Sequence, residues 1–538
     1  MIVRMKHLDL VCIASERDAT LDGLRSLGAV HLDLMAAQGG AVAVARGEIG
    51  NAEKAVRLIL KARGKTPRAE LRLKALSVDQ VLSLASDKEV LVSERDRLER
   101  EIKTYAPYGD FDPELAEKLT ALGIDLSDRL PPELPEMRLS KMSEKLSRVR
   151  NRIDIDDAKL SCADEQAVLN EFPELKDRMA FEQAKELMAE KGSVCVISGW
   201  VPETRVDGLS AAAHANGWGV LLRDPAEGEI PPTLIRPPRF VRPVKALFEG
   251  LGIAPAYEEA DVSVPFMCYF SLFFAMLVGD GAYGIIFLAA TLLMRRKLPR
   301  SWVALLSVFS LATIVWGALS NTWFGAQIPW CENWPTVRWL AGADAPAGHQ
   351  YDNMMFLCFT IGVSHLLLAR LWNGISKLND RSCLSEFGWA GIVFFMYVLT
   401  NSIVGIFGGI PTWCYWLFGA SFLTVFVQAK GMDKGMLFLN AMSVLGDIIS
   451  YVRLFAVGLA SVQVAANFNS MAINLGLPIW IKWIPLVFIL LVGHGLNLAM
   501  AGLSVLVHAV RLNTLEFSNH KGISWAGYAF QPFKKTKE

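Results

Sequence analysis

The hydrophobic and polar positions along the chain follow two different patterns, which meet near residue 263. Before that point, apolar residues recur three and four positions apart among many charges, as in "SERDRLEREIK" at 93–103, and this predicts long solvated helices. After it, runs of about 20 apolar residues follow one another, and this predicts helices that cross a membrane. The pattern therefore predicts two domains, a soluble one over residues 1–262 and a membrane-embedded one over residues 263–538.

Two strand–helix–strand patterns enclose the helical stretches of the soluble part, and together they predict one small α/β lobe. The first pattern is formed by "MIVRMKHLDLVCIAS", "RDATLDGLRSLG" and "AVHLDLM", and the second by "SVCVISGWVP", "TRVDGLSAAAHANG" and "WGVLLRDP". The charged stretches between them predict helices that pair as an intramolecular antiparallel coiled coil, which makes this part a stalk. These helices are expected over about 41–63, 78–105 and 137–169.

The membrane part is expected to contain seven or eight spans. If the stretch "GDGAYG" at 279–284 breaks the first apolar segment into two short spans, the count is eight. Eight spans place the basic loops in the cytoplasm, where Lys and Arg are enriched, and so this count is favoured. The predicted fold is mostly α, a polytopic helical domain of about eight spans with both termini in the cytoplasm. The apolar segments are 264–294, 302–325, 353–372, 388–409, 412–427, 435–475 and 483–515.

Charge divides the chain in the same way. It contains 54 basic and 54 acidic residues, of which 17 and 10 lie from Val264 onward, so the soluble part is acidic and the membrane part basic. The eight cysteines are scattered without the spacing of a metal site, so neither disulfides nor a bound metal is expected. The fragment "RGKTP" at 63–67 resembles the end of a phosphate-binding loop, but Ile59 stands where that loop needs glycine. Neither ATP nor another cofactor is therefore expected to bind this chain.

An arginine inside an apolar run is the clearest sign of function. Arg453, in "GDIISYVRLFAVGLA" at 446–460, keeps its positive charge at any ordinary pH. Placing it at membrane depth costs roughly 3 kcal/mol, which indicates that the protein needs a permanent charge there. A step of 100° per residue puts Arg453 on a helix face of mostly small residues, which are Gly446, Ser450, Val457, Ala460, Val464 and Asn467.

The last apolar segment carries a second arginine on a narrow polar face. Arg511 shares this face with Gly493, Asn497, Ser504 and His508. Helices of about 40 residues are about 60 Å long, whereas a hydrocarbon core is about 30 Å thick. The last two segments are therefore expected to tilt, to kink or to project beyond the membrane.

Structural interpretations stay open for several of these residues. Arg511 lies near the end of its segment, where its side chain can reach the cytoplasmic interface without any role in transport. Arg453 has alternative partners in Asp280 or in backbone carbonyl groups. His365 and His508 are either neutral interior histidines or proton carriers.

The motifs resemble those of one family. "SYVRLFAVGLA" at 450–460 and "HAVRLNTLEF" at 508–517 are similar to the last two membrane helices of subunit a, or I, of V-type and A/V-type rotary ATPases. The resemblance covers nearly the whole chain, and the short soluble part is similar to the bacterial form. It implies a stator subunit with a cytosolic arm and eight membrane helices, the last two lying obliquely against a rotating ring. The other matching stretches are "LRSLGAVHLD", "ISGWVPE", "AYEEADVS", "FFAMLVGDGAYG" and "WAGYAFQPF".

The resemblance also implies roles for individual residues. Arg453 matches the essential arginine that faces the ring, Arg511 the second arginine, and Asp280 the acidic residue after the first span. Ser461 and Ala501 depart from the eukaryotic pattern, which has histidine and glutamate at these positions. Other polar side chains are then needed to line the half-channels, and the candidates are Asp447, Ser450, Asn497, Ser504, His508, Glu516 and His365.

The implied function is ion translocation by a rotary V/A-type ATPase or ATP synthase. The chain is expected to be a non-catalytic subunit of that complex, not an enzyme on its own, and to lie in the bacterial inner membrane. Two half-channels carry H⁺ or Na⁺ to and from carboxylates on the rotor, and Arg453 displaces the ion. The implied partners are the membrane rotor ring of c/K-type subunits, E/G-type peripheral stalk subunits bound by the N-terminal arm, the soluble ATPase sector and the lipid bilayer. No nucleic acid is expected.

Two other classes of function stay open. A secondary transporter would use Arg453 to bind an anion at the membrane midplane, although the spans have no internal repeat of the kind many transporters have. A membrane tether would use the stalk to hold a partner, but it would leave two arginines on small-residue faces without a use.

Overall fold

The computed structural model describes residues 1–34, 37, 39–64, 74–122, 130–131, 133–343, 346, 349–429, 431–476 and 478–535. The "RGKTP" fragment lies outside these residues from position 65 onward. The chain forms two compact units, one of Met1–Arg4 with Ala226–Phe530 and one of Met5–Pro225 with the tail from Gln531. The prediction of a mostly α protein with several helices able to cross a membrane is confirmed.

A four-stranded antiparallel sheet organises the unit that begins at Met5. Its order is β2-β3-β1-β4, with β1 at Met5–Ile13, β2 at Ala189–Lys191, β3 at Val194–Pro202 and β4 at Gly219–Arg223. Alternate residues of β1 are buried against apolar residues of helices α1 (Arg17–Leu27) and α7 (Val206–Asn216). In the stretch "AVHLDLM", the residues that the structure describes form only an isolated bridge between His31 and Trp200, so the expected second strand is not formed there. Val30 and Leu32, on either side of the bridge, are buried in the core.

The rest of this unit consists of long helices. They are α2 (Gly40–Arg63), α3 (Val78–Tyr105), α4 (Pro113–Ala121), α5 (Leu139–Ser161) and α6 (Glu165–Leu187). The helix expected over 137–169 is thus two helices. The first ends at Ser161, and Asp164 caps the start of the second, since its side chain accepts a hydrogen bond from the Gln166 backbone N–H at 3.1 Å, as an N-cap does. Between α3 and α5, an apolar cluster is formed by Leu98, Leu146, Val149 and Ile153.

The C-terminal tail packs onto this unit beside His31. The Phe533 side chain is 5% exposed, and its backbone N–H donates to the Val30 carbonyl at 2.7 Å. The Gln531 backbone N–H donates to His31 Nδ1 at 3.0 Å. Burial lowers the pKa of His31, although the nearby Gln531 carbonyl opposes this shift. Only an unprotonated Nδ1 can accept the Gln531 N–H, so this hydrogen bond exists in the neutral form of His31.

Acidification is therefore expected to loosen the tail. Because the pKa of His31 is lowered in the folded protein, its contribution to stability is complete above its ordinary value of about 6.5 and is lost as the pH falls below that value. Hydrogen exchange of the Phe533 amide, corrected for the intrinsic effect of pH, should lose protection between pH 7.5 and 5.5. In His31→Gln, which does not titrate, the corrected protection should not change with pH. Equal pH responses in the two proteins would contradict this assignment.

The other unit is built from helices around one large apolar core. Its short helices are α8 (Val244–Leu251), α12 (Pro335–Leu340) and α19 (Ser518–Lys521). Its long helices are α9 (Ser263–Val278), α10 (Gly281–Leu293), α11 (Arg300–Ser320), α13 (Asp352–Ser376), α14 (Cys383–Ile403), α15 (Thr412–Gln428), α16 (Asp433–Ser450), α17 (Val452–Ile473) and α18 (Ile479–Ser504). Two π-helical segments, Val505–Ala509 and Leu512–Phe517, continue α18 toward α19.

Five helices in the described part are long and apolar enough to cross a membrane. They are α11, α13, α14 and two continuous stretches of 40 residues, Lys434–Ile473 and Lys482–Lys521. The count becomes six if α9 and α10, which are bent by 117°, form one span. The prediction of eight spans is therefore not confirmed. Helix α15 has 17 residues, which corresponds to about 25 Å and is short for a 30 Å core.

The bend between α9 and α10 is a defined turn. Gly279 ends α9 with φ +71°, a left-handed conformation that favours glycine. Asp280 then caps α10, because its Oδ1 accepts from the Ala282 N–H at 2.9 Å. Helix α11 packs so closely on this turn that a Cβ on Gly317 would lie 2.1 Å from the backbone nitrogen of Gly281. The segment 264–294 is thus two helices joined by a turn whose backbone packs against α11.

Candidate functional site

Arg453 lies at the start of α17 and has no hydrogen-bond or ion-pair partner among the residues that the structure describes. Its side chain is half-buried, and the face of the helix that it shares with Gly446 and Ala460 is exposed. No atom lies within 4 Å of the position that a Cβ on Gly446 would occupy, and Ser450 Oγ only donates to the Gly446 carbonyl at 2.9 Å. The guanidinium is therefore available to an acidic group from outside the chain.

Arg511 has a partner within the chain. It lies between the two π-helical segments, and its Nε donates to Glu516 Oε1 at 3.3 Å. The Arg511 side chain is 51% exposed, whereas that of Glu516 is 4% exposed. The π-turns bring these residues together, since five positions in a π-helix make about one turn.

Two buried polar atoms near the arginines have no hydrogen-bond partner among the described residues. They are Glu516 Oε2 and His508 Nδ1. Arg453 is close enough to both residues to interact with them electrostatically. The structure thus brings Arg453, Arg511, His508 and Glu516 into one region. Buried polar atoms of this kind are normally paired in folded proteins.

Asp447 belongs to a charged network that joins four helices, α13, α14, α16 and α19. His520 Nδ1 accepts from Arg370 Nε at 3.1 Å, so Nε2 carries the hydrogen and donates to Asp447 Oδ2 at 3.1 Å. Arg370 also pairs with Glu386 at 3.2 Å, and Lys377 pairs with the same carboxylate at 2.8 Å. The sequence pointed to Asp447 but missed His520, Arg370 and Glu386. Arg370, a charge near the end of an apolar run, was a signal for this network.

A second polar network joins α10, α17 and α18. Asn497 accepts from Ser461 Oγ at 3.1 Å and donates to the Tyr283 hydroxyl at 3.1 Å. The Tyr283 hydroxyl is 2.7 Å from His494 Nδ1, and His494 Nε2 is 3.1 Å from Asn469 Oδ1. Of these five residues, only Asn497 was a candidate from the sequence. Tyr283, His494 and Asn469 were missed because they lie on other helix faces and in distant segments.

The other candidates have local roles or few contacts. Asp280 is 1% exposed and accepts from the backbone N–H groups of Ala282 and Gly325, at 2.9 and 2.8 Å. This satisfies its carboxylate without Arg453. His365 is fully buried, and its Nδ1 is 2.9 Å from the Tyr451 hydroxyl, while its Nε2 has no partner among the described residues. Ser504 is half-buried, and its side chain makes no hydrogen bond within the described part of the chain.

The two networks lie on opposite sides of Arg453 along the penultimate span. Asp447 precedes Arg453 by six residues, or about 9 Å of helix, and Ser461 follows it by eight residues, or about 12 Å. A permanent charge thus separates a network that contains Asp447 from one that contains Ser461. Within the described residues, no group of three or more His, Cys, Asp and Glu side chains is arranged to hold a metal ion.

Curated proteins from bacteria and archaea are similar to this chain. V-type ATP synthase subunit I from Borreliella burgdorferi is 32% identical over 66% of this chain and 63% of its own length. V-type ATP synthase subunit I 1 from Treponema pallidum is 28% identical over 99% of this chain and all of its own length. A-type ATP synthase subunit I from Archaeoglobus fulgidus is 27% identical over 64% of this chain and 59% of its own length.

These matches confirm the resemblance that the sequence motifs indicated. The chain spans less than two thirds of the Borreliella and Archaeoglobus proteins, but the full length of the Treponema protein. No protein-family model matches the chain.

Proposed function

Because the chain is a homologue of subunit I of V-type and A-type ATP synthases, we propose that it is the membrane stator subunit of a rotary ATPase or ATP synthase. In this role it has no catalytic activity of its own and carries H⁺ or Na⁺ to and from a rotating ring. The observation that carries the proposal is Arg453, a permanent charge on an exposed face of a membrane helix, without a partner among the described residues.

The proposed mechanism is electrostatic. A carboxylate on the rotor is neutral while it faces lipid, because a bare charge there is very costly. When it reaches Arg453, the positive charge stabilises the anionic form, and the bound ion leaves. The carboxylate is neutralised again from the other side before it returns to lipid. Arg453 also repels cations, so it prevents ions from passing directly from one side to the other.

The two polar networks are the proposed paths to Arg453. The network of Asp447 and His520 would serve the cytoplasmic side, together with Glu516 and His508, whose unpartnered atoms can hold water. The network of Ser461, Asn497, Tyr283, His494 and Asn469 would serve the opposite side. In this proposal Arg511 neutralises Glu516, and Asp280 shapes the turn that positions Tyr283.

The soluble unit is the proposed attachment to the rest of the machine. Its long helices α2, α3, α5 and α6 expose many charged residues, which suits contacts with other soluble subunits. We propose that this arm binds peripheral stalk subunits of the E/G type and so holds the membrane unit against the soluble ATPase sector. The proposed location is the bacterial inner membrane, with both termini in the cytoplasm.

Co-purification tests the proposed function directly. The full-length tagged protein, solubilised from its native membrane in a mild detergent, should bring down a small hydrophobic ring-forming subunit and soluble ATPase subunits. A tagged membrane protein of unrelated function, solubilised in parallel, should bring down neither. Isolation of the chain alone under conditions that keep other rotary ATPases intact would contradict the proposal.

A further inference from the structure

Arg453 has no hydrogen-bond or ion-pair partner in the described part of the chain, so no such bond fixes where its charge lies. The backbone of the penultimate span then has a large part in setting its position. That backbone changes at Tyr451, between α16 and α17, where the Tyr451 N–H donates to the Ile448 carbonyl at 3.1 Å. The Leu454 N–H in turn donates to the Tyr451 carbonyl at 3.0 Å. These three-residue bonds tighten the helix two positions before Arg453, and such tightening often marks a functional hinge.

The Tyr451 side chain fastens this tightened turn to α13. It is fully buried, and its hydroxyl is 2.9 Å from His365 Nδ1. Its ring lies directly on the backbone of Gly362, where an added Cβ would come within 2.6 Å of the ring carbon Cγ. Ring packing and a hydrogen bond therefore hold the same side chain to one helix.

The ring of His365 is itself held from two sides. It stacks on Tyr269 of α9 at 4.0 Å between ring centroids, and on Phe517 at 4.4 Å. Phe517 ends the π-helical segment that contains Glu516, the partner of Arg511. His365 therefore links the turn before Arg453 to the segment that follows Arg511.

We infer that Tyr451, held by His365 and Gly362, is the residue that positions Arg453 toward its partner outside the chain. This inference rests on the proposed function, in which Arg453 acts on a rotor carboxylate. Tyr451 touches no ion in this scheme and acts only through the helix that carries Arg453. Because Coulomb energy changes with distance, a small displacement of the guanidinium weakens its effect on the carboxylate.

Removing only the hydroxyl tests this role. In the intact complex, reconstituted into vesicles, Tyr451→Phe should lower the number of ions moved per ATP hydrolysed by about fivefold. This is the factor by which the loss of one buried hydrogen bond typically changes an equilibrium constant. The rates of ion transport and of ATP hydrolysis are both normalised to the amount of assembled complex. General destabilisation lowers the two rates together and leaves their ratio unchanged. The matched control is Tyr397→Phe, which removes a tyrosine hydroxyl that bonds Thr360 of the same helix α13 at 2.9 Å. The number of ions moved per ATP hydrolysed by Tyr397→Phe should stay at the wild-type value.

A double-mutant cycle separates positioning from ion transfer by His365. If the two residues act through their shared hydrogen bond, His365→Leu should resemble Tyr451→Phe, and the double variant should be no worse than either one. A far greater loss in His365→Leu than in Tyr451→Phe would instead make the histidine an ion carrier and overturn the inference. Equal numbers of ions moved per ATP hydrolysed by Tyr451→Phe and Tyr397→Phe would also overturn the inference. The proposed function itself is tested separately, by co-purification and by the loss of coupled transport in Arg453→Ala.

Discussion

Replacing Arg453 with alanine is expected to lower ion transport by the assembled complex by roughly 100-fold or more, because removing one partner of a charge pair in a water-poor site costs about 3–5 kcal/mol. The complex should still assemble, since Arg453 makes no hydrogen bond or ion pair with the described residues that its loss would leave unsatisfied. ATP hydrolysis by the soluble sector should continue without coupled ion flow. The measurement is ion uptake and ATP hydrolysis by reconstituted vesicles, each normalised to assembled complex.

Two further variants sharpen this result. Arg453→Lys should retain only part of the transport, since an ammonium group in a water-poor site loses its proton more easily than a guanidinium. Arg300→Ala, which removes an exposed arginine at the first residue of α11, is the matched control and should transport normally.

The variant Arg453→Ala also distinguishes the three classes of function. A secondary transporter with an anion site at Arg453 would instead lose substrate uptake by the isolated protein, without any rotary partner. A membrane tether would show little beyond altered stability. Normal coupled transport by Arg453→Ala would refute the proposed mechanism.

The second large effect is expected at Gly317, in the contact between α11 and the turn before α10. In Gly317→Ala, the new Cβ would lie 2.1 Å from the nitrogen and 2.3 Å from the Cα of Gly281. Backbone atoms cannot rotate away as a side chain does, so the helices must separate, at a cost of about 1–3 kcal/mol or more. The displacement would also disturb the hydrogen bonds of Asp280.

The apparent melting temperature of the purified protein in detergent is therefore expected to fall by roughly 5 °C. Gly419→Ala is the matched control, because Gly419 lies in the apolar helix α15 and no neighbouring side chain or segment comes within 4 Å of its Cβ position. That change should be neutral or slightly stabilising, since alanine favours helices more than glycine does. Equal melting temperatures for the two variants would contradict the close packing at Gly317.

The elements of the fold that could be predicted are those that depend on local sequence. Helices α11, α13 and α14 follow from runs of apolar residues, because every residue of such a run favours burial or lipid. The division of the expected helix 137–169 could not be recognised so easily. It depends on Asp164 and on the pairing of its neighbours with the backbone of Lys74, which is distant in the sequence.

The candidate site was predictable to the same extent. Arg453 was identified by the energetic cost of a charge in an apolar run, which can be judged from the sequence alone. The partner of Asp447 could not be identified from the sequence, since His520 is 73 positions away and reaches Asp447 only when the last helix packs beside α16. Asp280 was a candidate half-channel or supporting residue, and only the structure showed its two backbone hydrogen bonds in the turn between α9 and α10.

The amino-acid sequence by itself determined that the chain has long apolar segments able to cross a membrane, that Arg453 and Arg511 carry permanent charge within such segments, and which proteins it resembles. These properties depend on residue type and on spacing along the chain. Only the tertiary structure decided which polar groups meet: Asp447 with His520, Asn497 with Tyr283, and Tyr451 with His365. Hydrogen bonds act over about 3 Å, so they form only where folding brings distant segments together.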